Sequence, residues 1–450
     1  MAEEEEKLTS ESFHLVENFE LDSKTLYNGL EVSQEDTSGK AVELCEKKLL
    51  IPYYTVLKCF GWYGLNKVLC VSKQWVVIIV YLLAIGTTFV TQGLLCFQRD
   101  LLLLLEEQCV TNATLDAELI CCKKHVFSAF VVPDILLVSS YLFGIYVFSR
   151  SETEYLSNLA TKVFIKAANI GGKKEPVRLL NSIRLYFLAA VVWICISLVV
   201  RILYLVAYSI ALPSVNVYWN DSFQIGGSTK IGLLVWAVIG FVLFDIMYMA
   251  SLINYAIQSE LNVYLLKGIS RWITDKVYTE LADQPIKDIN DAVKCLKVLN
   301  GKTATGVSLV LLNLSISAVI SFQQLQDLAT NPIVGDKRRN DPLSYTVGCL
   351  NALLWTAFVI LAFVQAARVT REGRKLKNHA ISIRARPFQY ANTPQSDMDS
   401  FLQYTQAVHL RAKLFGIPIQ PWMVYTAFLA FPLIIIILVR SNVYSVFPRF

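Results

Sequence analysis

Seven long apolar runs dominate the chain and leave few folds open to it. They fall at 75–97, 125–149, 185–212, 231–257, 305–325, 346–367 and 420–439. Each approaches or exceeds the ~20 residues that a helix needs to cross about 30 Å of hydrocarbon. Within a bilayer every backbone N–H and C=O must be satisfied by the protein, and a helix does this unaided. Composition agrees, because only 17% of residues are charged, against about 25% in an ordinary soluble domain. The sequence therefore predicts an all-α membrane protein with seven transmembrane helices. A weaker stretch at 49–65, LLIPYYTVLKCFGWYGL, is expected to break at Pro52 and Gly61 and to lie at the membrane interface.

Orientation follows from where the basic residues sit. Alternate connecting segments hold 26 Lys and Arg on one side of the seven runs and nine on the other. The basic side is the cytoplasmic one, which predicts an internal N-terminus and an external C-terminus. Residues 1–49, with thirteen Asp and Glu against five Lys, read as an acidic, mostly disordered cytoplasmic tail. Residues 50–440 form the transmembrane domain, and 441–450 a short extracellular tail. The opening MAEEEEK lacks the positive-then-apolar pattern of a cleaved signal peptide, so targeting is expected from internal helices. This orientation is inverted relative to a G-protein-coupled receptor.

Two sequons fall on the predicted outer side, at Asn112 and Asn220, and are candidate glycosylation sites. Cys109, Cys121 and Cys122 share an outer segment. A disulfide from Cys109 to one of the other two is chemically permitted, as are free thiols. Neither the ten cysteines nor the four histidines show metal-ligand spacing, and no nucleotide-binding or hydrolase motif is present. No metal or cofactor is expected, no nucleic-acid partner, and no enzymatic activity.

Three stretches carry a resemblance. PYYTVLKCFGWYGLN, before the first span, is an apolar segment leading into a Gly-aromatic turn. FLQYTQAVHLRAKLFGIPIQPWMV leads into the seventh span, and only a short tail comes after that span. With the inverted topology, these resemble the insect gustatory and odorant receptor superfamily. The typical Thr-Tyr, five residues, Gln-Phe pattern of gustatory receptors is replaced here by Phe431-Pro432, five aliphatics and Leu438-Val439, which marks a divergent member. The resemblance implies a chemoreceptor subunit in a homo- or hetero-tetrameric, ligand-gated, non-selective channel for monovalent and divalent cations. The last span would line the pore. Cytoplasmic extensions of spans four to seven would form an anchor, and a small-molecule pocket would open outward between spans two, three, four and six. The plasma membrane is favoured over an internal one. A non-conducting scaffold or trafficking protein on the same fold, or a small-molecule or lipid transporter, is the alternative.

The residues narrow the sites further. Phe401, Leu402, Tyr404, Val408 and Phe415 recur at helical spacing, predicting an amphipathic cytoplasmic helix from 401 to 415. Its apolar face meets either a subunit anchor or its own chain. In the last span Ile434, Ile435, Ile436, Ile437 and Leu438 either close a pore by dewetting or face lipid. Arg440 would stand at the outer mouth or snorkel to headgroups. Three ionisable residues lie inside spans: Asp134, Arg201 and Asp245. Each costs about 2.5–3.5 kcal/mol to insert at a helix centre. Asp134 and Arg201 fall at matching depth and are expected to pair, as a structural bridge or as the floor of an outer cavity. Tyr204, Tyr208, Trp236 and Trp355 are candidate walls of that cavity.

Overall fold

The computed structural model describes residues 34–62, 71–95, 132–149, 152–171, 174–211, 218–219, 223–224, 227–275, 283–330, 342–384, 395–426 and 428. Among these, five helices contain stretches long and apolar enough to cross a membrane: Gln74–Thr91, Lys174–Leu203, Ile231–Arg271, Pro285–Phe322 and Thr346–Ser382. A shorter apolar helix covers Val132–Val147. The sequons at Asn112 and Asn220, and Cys109, Cys121 and Cys122, lie outside the described residues, as do Ile434 to Leu438 and Arg440.

The helices run α1 (Gln34–Cys45), α2 (Ile51–Cys59), α3 (Val71–Leu95), α4 (Val132–Ser149), α5 (Glu152–Gly171), α6 (Lys174–Ala211) and α7 (Gly227–Asp275). After them come α8 (Asp283–Val298), α9 (Ala304–Thr330), α10 (Pro342–Arg384) and α11 (Gln395–Ala407). Two small antiparallel hairpins complete the fold. One pairs β1 (Tyr218–Trp219) with β2 (Phe223–Gln224), and the other pairs β3 (Lys413–Leu414) with β4 (Ile417–Pro418). The longest helix among those described, α7, packs against α3, α5, α6, α8 and α10, at the centre of the bundle. At 49 residues it is roughly 73 Å long at 1.5 Å per residue, far more than a bilayer requires.

The stretch around Pro52 is packed helix, which corrects the expected break at that residue. Residues Gln34–Cys45, inside the segment read as a tail, are helical and lead to α2 through a single π-helical turn, Glu46–Leu50. Pro52 sits at the start of α2, where a missing N–H costs little. Leu49, Leu50, Tyr53 and Leu57 are buried against the bundle. Gly61 does end the helix. At φ 72° it lets its N–H reach Lys58 O (3.1 Å) and the Trp62 N–H reach Leu57 O (3.0 Å), which closes the free carbonyls as a Schellman cap. Trp62 is then driven wholly into the core. It fits only because Gly144 of α4 has no side chain, since a Cβ there would meet Trp62 Cζ2 at 2.5 Å.

Beyond the apolar runs the helices continue and pack on one another. The far ends of α7 and α10 join α8 and α11 in a second layer, with Ile269, Ile273, Ile289, Leu296, Leu376 and Phe401 in its core.

Candidate functional site: buried charges and the strap before the last span

Two charged clusters and one strap stand out. In the upper half of the bundle α6 presents Trp193, Ser197 and Arg201 along one stripe, each four residues from the next. The facing helix α7 presents Phe241 and Asp245, also four apart, so the two stripes run in opposite directions. Ser197 Oγ donates a hydrogen bond to Asp245 Oδ2. The Arg201 guanidinium lies 5.8 Å from the Phe241 ring centroid and 5.0 Å from that of Trp355 on α10. Trp193 extends the aromatic wall, with its centroid 5.8 Å from Trp355 and 4.2 Å from Phe358. Arg201 is 2% exposed and Asp245 1%. A desolvated guanidinium over aromatic faces gains on the order of 2 kcal/mol, which offsets part of the cost of placing it there. The arrangement sets one buried cation against flat aromatic walls.

The predicted site residues divide. Arg201 and Trp355 are brought together, as is Asp245. Trp236 turns instead to α3, where its indole Nε1 donates to Thr87 Oγ1 at 3.2 Å. Asp134 lies in the first turn of α4, which packs chiefly against α9. Tyr204 and Tyr208 continue α6, with side chains outside those described.

A second cluster, missed in the sequence, sits at the ends of three of the apolar runs. Glu260 of α7 is 2% exposed. Arg368 of α10 grips it bidentately, Nη1 to Oε2 at 2.8 Å and Nη2 to Oε1 at 3.1 Å. The Tyr186 hydroxyl of α6 donates to Glu260 Oε2 at 2.8 Å and accepts from Gln365 Nε2 at 2.9 Å and Arg368 Nη1 at 2.8 Å. Three helices are thereby pinned at one level. The signal was present. Tyr186, Glu260 and Arg368 each fall within three residues of the inner end of a predicted span. A neighbouring chain of hydrogen bonds ties α2 to α7: Tyr53 donates to Asn254 Oδ1 (2.5 Å), as does Gln258 Nε2 (3.2 Å), and Thr303 donates to Gln258 Oε1 (2.9 Å).

The third feature is the strap between α11 and the last apolar run. The expected helix over 401–415 stops at Ala407. Past that residue the chain forms an extended strap and the tight β3–β4 hairpin. Phe415 (φ 54°) and Gly416 (φ 74°) are the two central residues of the hairpin, the positive-φ pair of a type I′ turn. Such a φ is rare for a side chain as bulky as Phe415. The Phe415 N–H donates to Ser308 Oγ at 2.9 Å, and its ring lies 6.5 Å from Phe363, nearly parallel. The strap is sewn to both sides of the bundle. Ala412 N–H donates to Thr370 Oγ1 (3.1 Å), Lys413 N–H to Asn300 Oδ1 (2.7 Å), and Asn300 Nδ2 back to Arg411 O (2.8 Å). Residues 421–426 are helical again, so the strap fixes where the last apolar run starts.

No family model matches the chain, and no curated protein matches it by sequence. Solved structures do. The insect olfactory receptor OR5 from Machilis hrabei in complex with eugenol superposes with a TM-score of 0.56 at 11% identity, covering 88% of this chain and 98% of that one. A second structure of the same receptor gives 0.56 at 12% identity, covering 89% and 99%. With so few residues shared, what carries over is the path of the backbone: this chain is an all-α membrane protein with the fold of an insect olfactory receptor.

Proposed function

We propose that this chain is a chemoreceptor subunit of a tetrameric, ligand-gated, non-selective cation channel. The observation that carries the reading is the fold match, which spans nearly the whole of the receptor. In this reading the last apolar run lines the pore and Ile434 to Leu438 close it by dewetting. The layer formed by the ends of α7 and α10 with α8 and α11 is the subunit anchor. The Arg201 cluster is part of a ligand pocket, and because the olfactory receptor of this fold is seen with eugenol, a small organic ligand is the class expected. Asp134 contributes to the same pocket, in the plasma membrane and from the outer side.

The direct test is whole-cell recording of wild type, Ile436→Ala and Leu438→Ala, with surface expression measured in parallel. Shortening an apolar plug admits water, so both variants are expected to leak cations several-fold above wild type without added ligand. Silent channels at normal surface levels in all three would leave the fold and remove conduction.

The orientation has its own test. Cys59 is exposed and Cys45 buried, and burial, with a smaller contribution from Glu46, pushes the Cys45 thiol up to about 12. A maleimide reacts through the thiolate. In a background retaining only these two cysteines, an impermeant maleimide is expected to label Cys59 only after permeabilisation, and Cys45 not at all. Labelling of Cys59 on intact cells would mean that the N-terminal side faces outward.

A further inference from the structure

A cavity of ≈ 180 Å³ lies where α5, α6 and α7 converge beyond the apolar runs. Its lining is unlike the rest of the bundle. Lys166 of α5, Arg178 of α6, and Lys267 and Arg271 of α7 all border it, with one carboxylate, Glu175. Glu175 accepts from Arg271 Nη1 at 3.0 Å and from Arg178 Nη1 at 3.3 Å. It therefore orients two guanidinium groups towards a common point, and each guanidinium has five N–H donors. Both remain open to solvent, Arg178 at 68% and Arg271 at 51%. Lys166 is neutralised by Asp288 at 2.5 Å. The Lys267 ammonium lies 5.5 Å from the Tyr264 ring centroid, so its position is also set. Once Glu175 and the Lys166–Asp288 pair are set aside, the lining carries a net two positive charges.

We propose that this cavity binds a phosphomonoester on a polyol headgroup, of the phosphoinositide class or its soluble polyol phosphate. The charge argument selects the ligand. A phosphomonoester carries about −1.5 to −2 at neutral pH and offers three strong acceptor oxygens. That matches two oriented guanidinium forks and one ammonium better than a single carboxylate would. Depth argues in the same direction. Arg178 lies seven residues before the third apolar run and Lys267 ten residues past the end of the fourth. The cavity is thus roughly 10–15 Å below the hydrocarbon edge at 1.5 Å per residue, whereas the headgroup layer is only about 5–7 Å thick. The phosphodiester of an ordinary lipid stays within that layer, while a phosphate on a projecting polyol ring passes beyond it. Basic pockets between transmembrane helices on the cytoplasmic side are suited to such headgroups. Bound there, the group would clamp the same α6–α7 pair that carries the Tyr186–Glu260 contact above it. The inference needs the orientation but not conduction, so a silent channel would leave it standing.

The test uses the full chain in phosphatidylcholine nanodiscs, alone, with phosphatidylinositol 4,5-bisphosphate, or with phosphatidylserine at equal charge. Soluble inositol 1,4,5-trisphosphate is titrated separately, and binding and melting temperature are both read. Each surface cation contributes about fivefold in affinity. Arg178→Gln/Arg271→Gln is therefore expected to weaken phosphoinositide binding roughly 30-fold with the ligand-free melting temperature unchanged. Glu175→Gln, which removes the negative charge yet keeps an acceptor for both arginines, is expected to tighten it about fivefold. Binding of bisphosphate lipid alone assigns the site to a membrane headgroup; equal binding of the trisphosphate assigns it to a soluble ligand. Should the double variant fail to fold, unchanged affinity in Glu175→Gln overturns the proposal. It is also overturned by binding that ignores both variants, by no binding, or by equal stabilisation from phosphatidylserine.

Discussion

Gly373→Val is expected to lower the stability of the fold by about 3 kcal/mol, the upper end of what overpacking costs. Gly373 lies on α10 under the strap. A Cβ there would collide with the backbone carbonyl oxygen of Leu410 and lie 2.8 Å from the Leu410 Cβ. Neither partner can give way cheaply. The helix is held by its own hydrogen bonds, and the strap is tied down on both sides of Leu410, which is itself buried at 2% exposure. Before it Lys377 Nζ of α10 donates to Gln406 O at 2.9 Å, and after it Ala412 N–H is bonded to Thr370 Oγ1, one turn from Gly373. Any shift that relieves the clash must move the strap, and with it the start of the last apolar run. The variant should therefore melt several degrees lower in detergent and, if the channel reading holds, show altered resting current. Gly86→Ala is the control. Nothing lies within 4 Å of a Cβ at Gly86, and removing glycine from a helix interior gains roughly 0.5–1 kcal/mol. If Gly373→Val melted with the control, the strap would not be docked as described.

The contrast between these two glycines shows what the sequence could and could not convey. The number of apolar runs was plain, because hydrocarbon tolerates only one pattern and a run of roughly 20 apolar residues announces it. The extent of the helices was not. α7 runs on to Asp275 through mixed apolar and polar residues, and α10 to Arg384 through residues rich in Lys and Arg. A helix that packs beyond the apolar runs has no hydropathy signal to set it apart from a connecting segment. Pro52 misled because a proline in the first turn of a helix costs nothing, while the same residue in the middle would break it. The hairpin at 413–418 escaped because strands of two residues are too short for alternation to register; only the Phe415-Gly416 turn marks it. Arg201 was legible because a buried arginine is rare and must have partners. Which aromatic faces it takes depends on which helices are neighbours, and the sequence does not say: α6 packs on α7 and α10, which bring Phe241 and Trp355 to it. Glu260 and Arg368 looked like ordinary flanking charges, since acids and bases near the ends of spans need no explanation one at a time.

That last pair carries the other large effect. Arg368→Met is expected to destabilise the fold by about 3 kcal/mol, because removing one partner strands a buried charge. Glu260 is 2% exposed while the Arg368 side chain is 39% exposed, so the cost falls on the carboxylate and not on the arginine. Tyr186 would remain as a donor to Glu260, and one charge-assisted hydrogen bond returns about 1.5–3 kcal/mol, less than a buried carboxylate costs without its cation. The asymmetry makes a sharper statement than either single variant. Glu260→Gln leaves the half-exposed arginine with water and the Tyr186 oxygen to turn to, and should cost less than Arg368→Met. Adding Glu260→Gln to Arg368→Met removes the stranded charge, so the double variant should be more stable than Arg368→Met alone. Thermal melting of the four proteins in one detergent gives the cycle. Additive losses would mean that the two residues act independently and that the bidentate contact does not hold α7 to α10. A recovery on adding the second substitution would place the cost in the buried carboxylate. The same three helices carry Arg201, Asp245 and Trp355 above this level, so a loosened crossing at Glu260 must also change how those side chains pack.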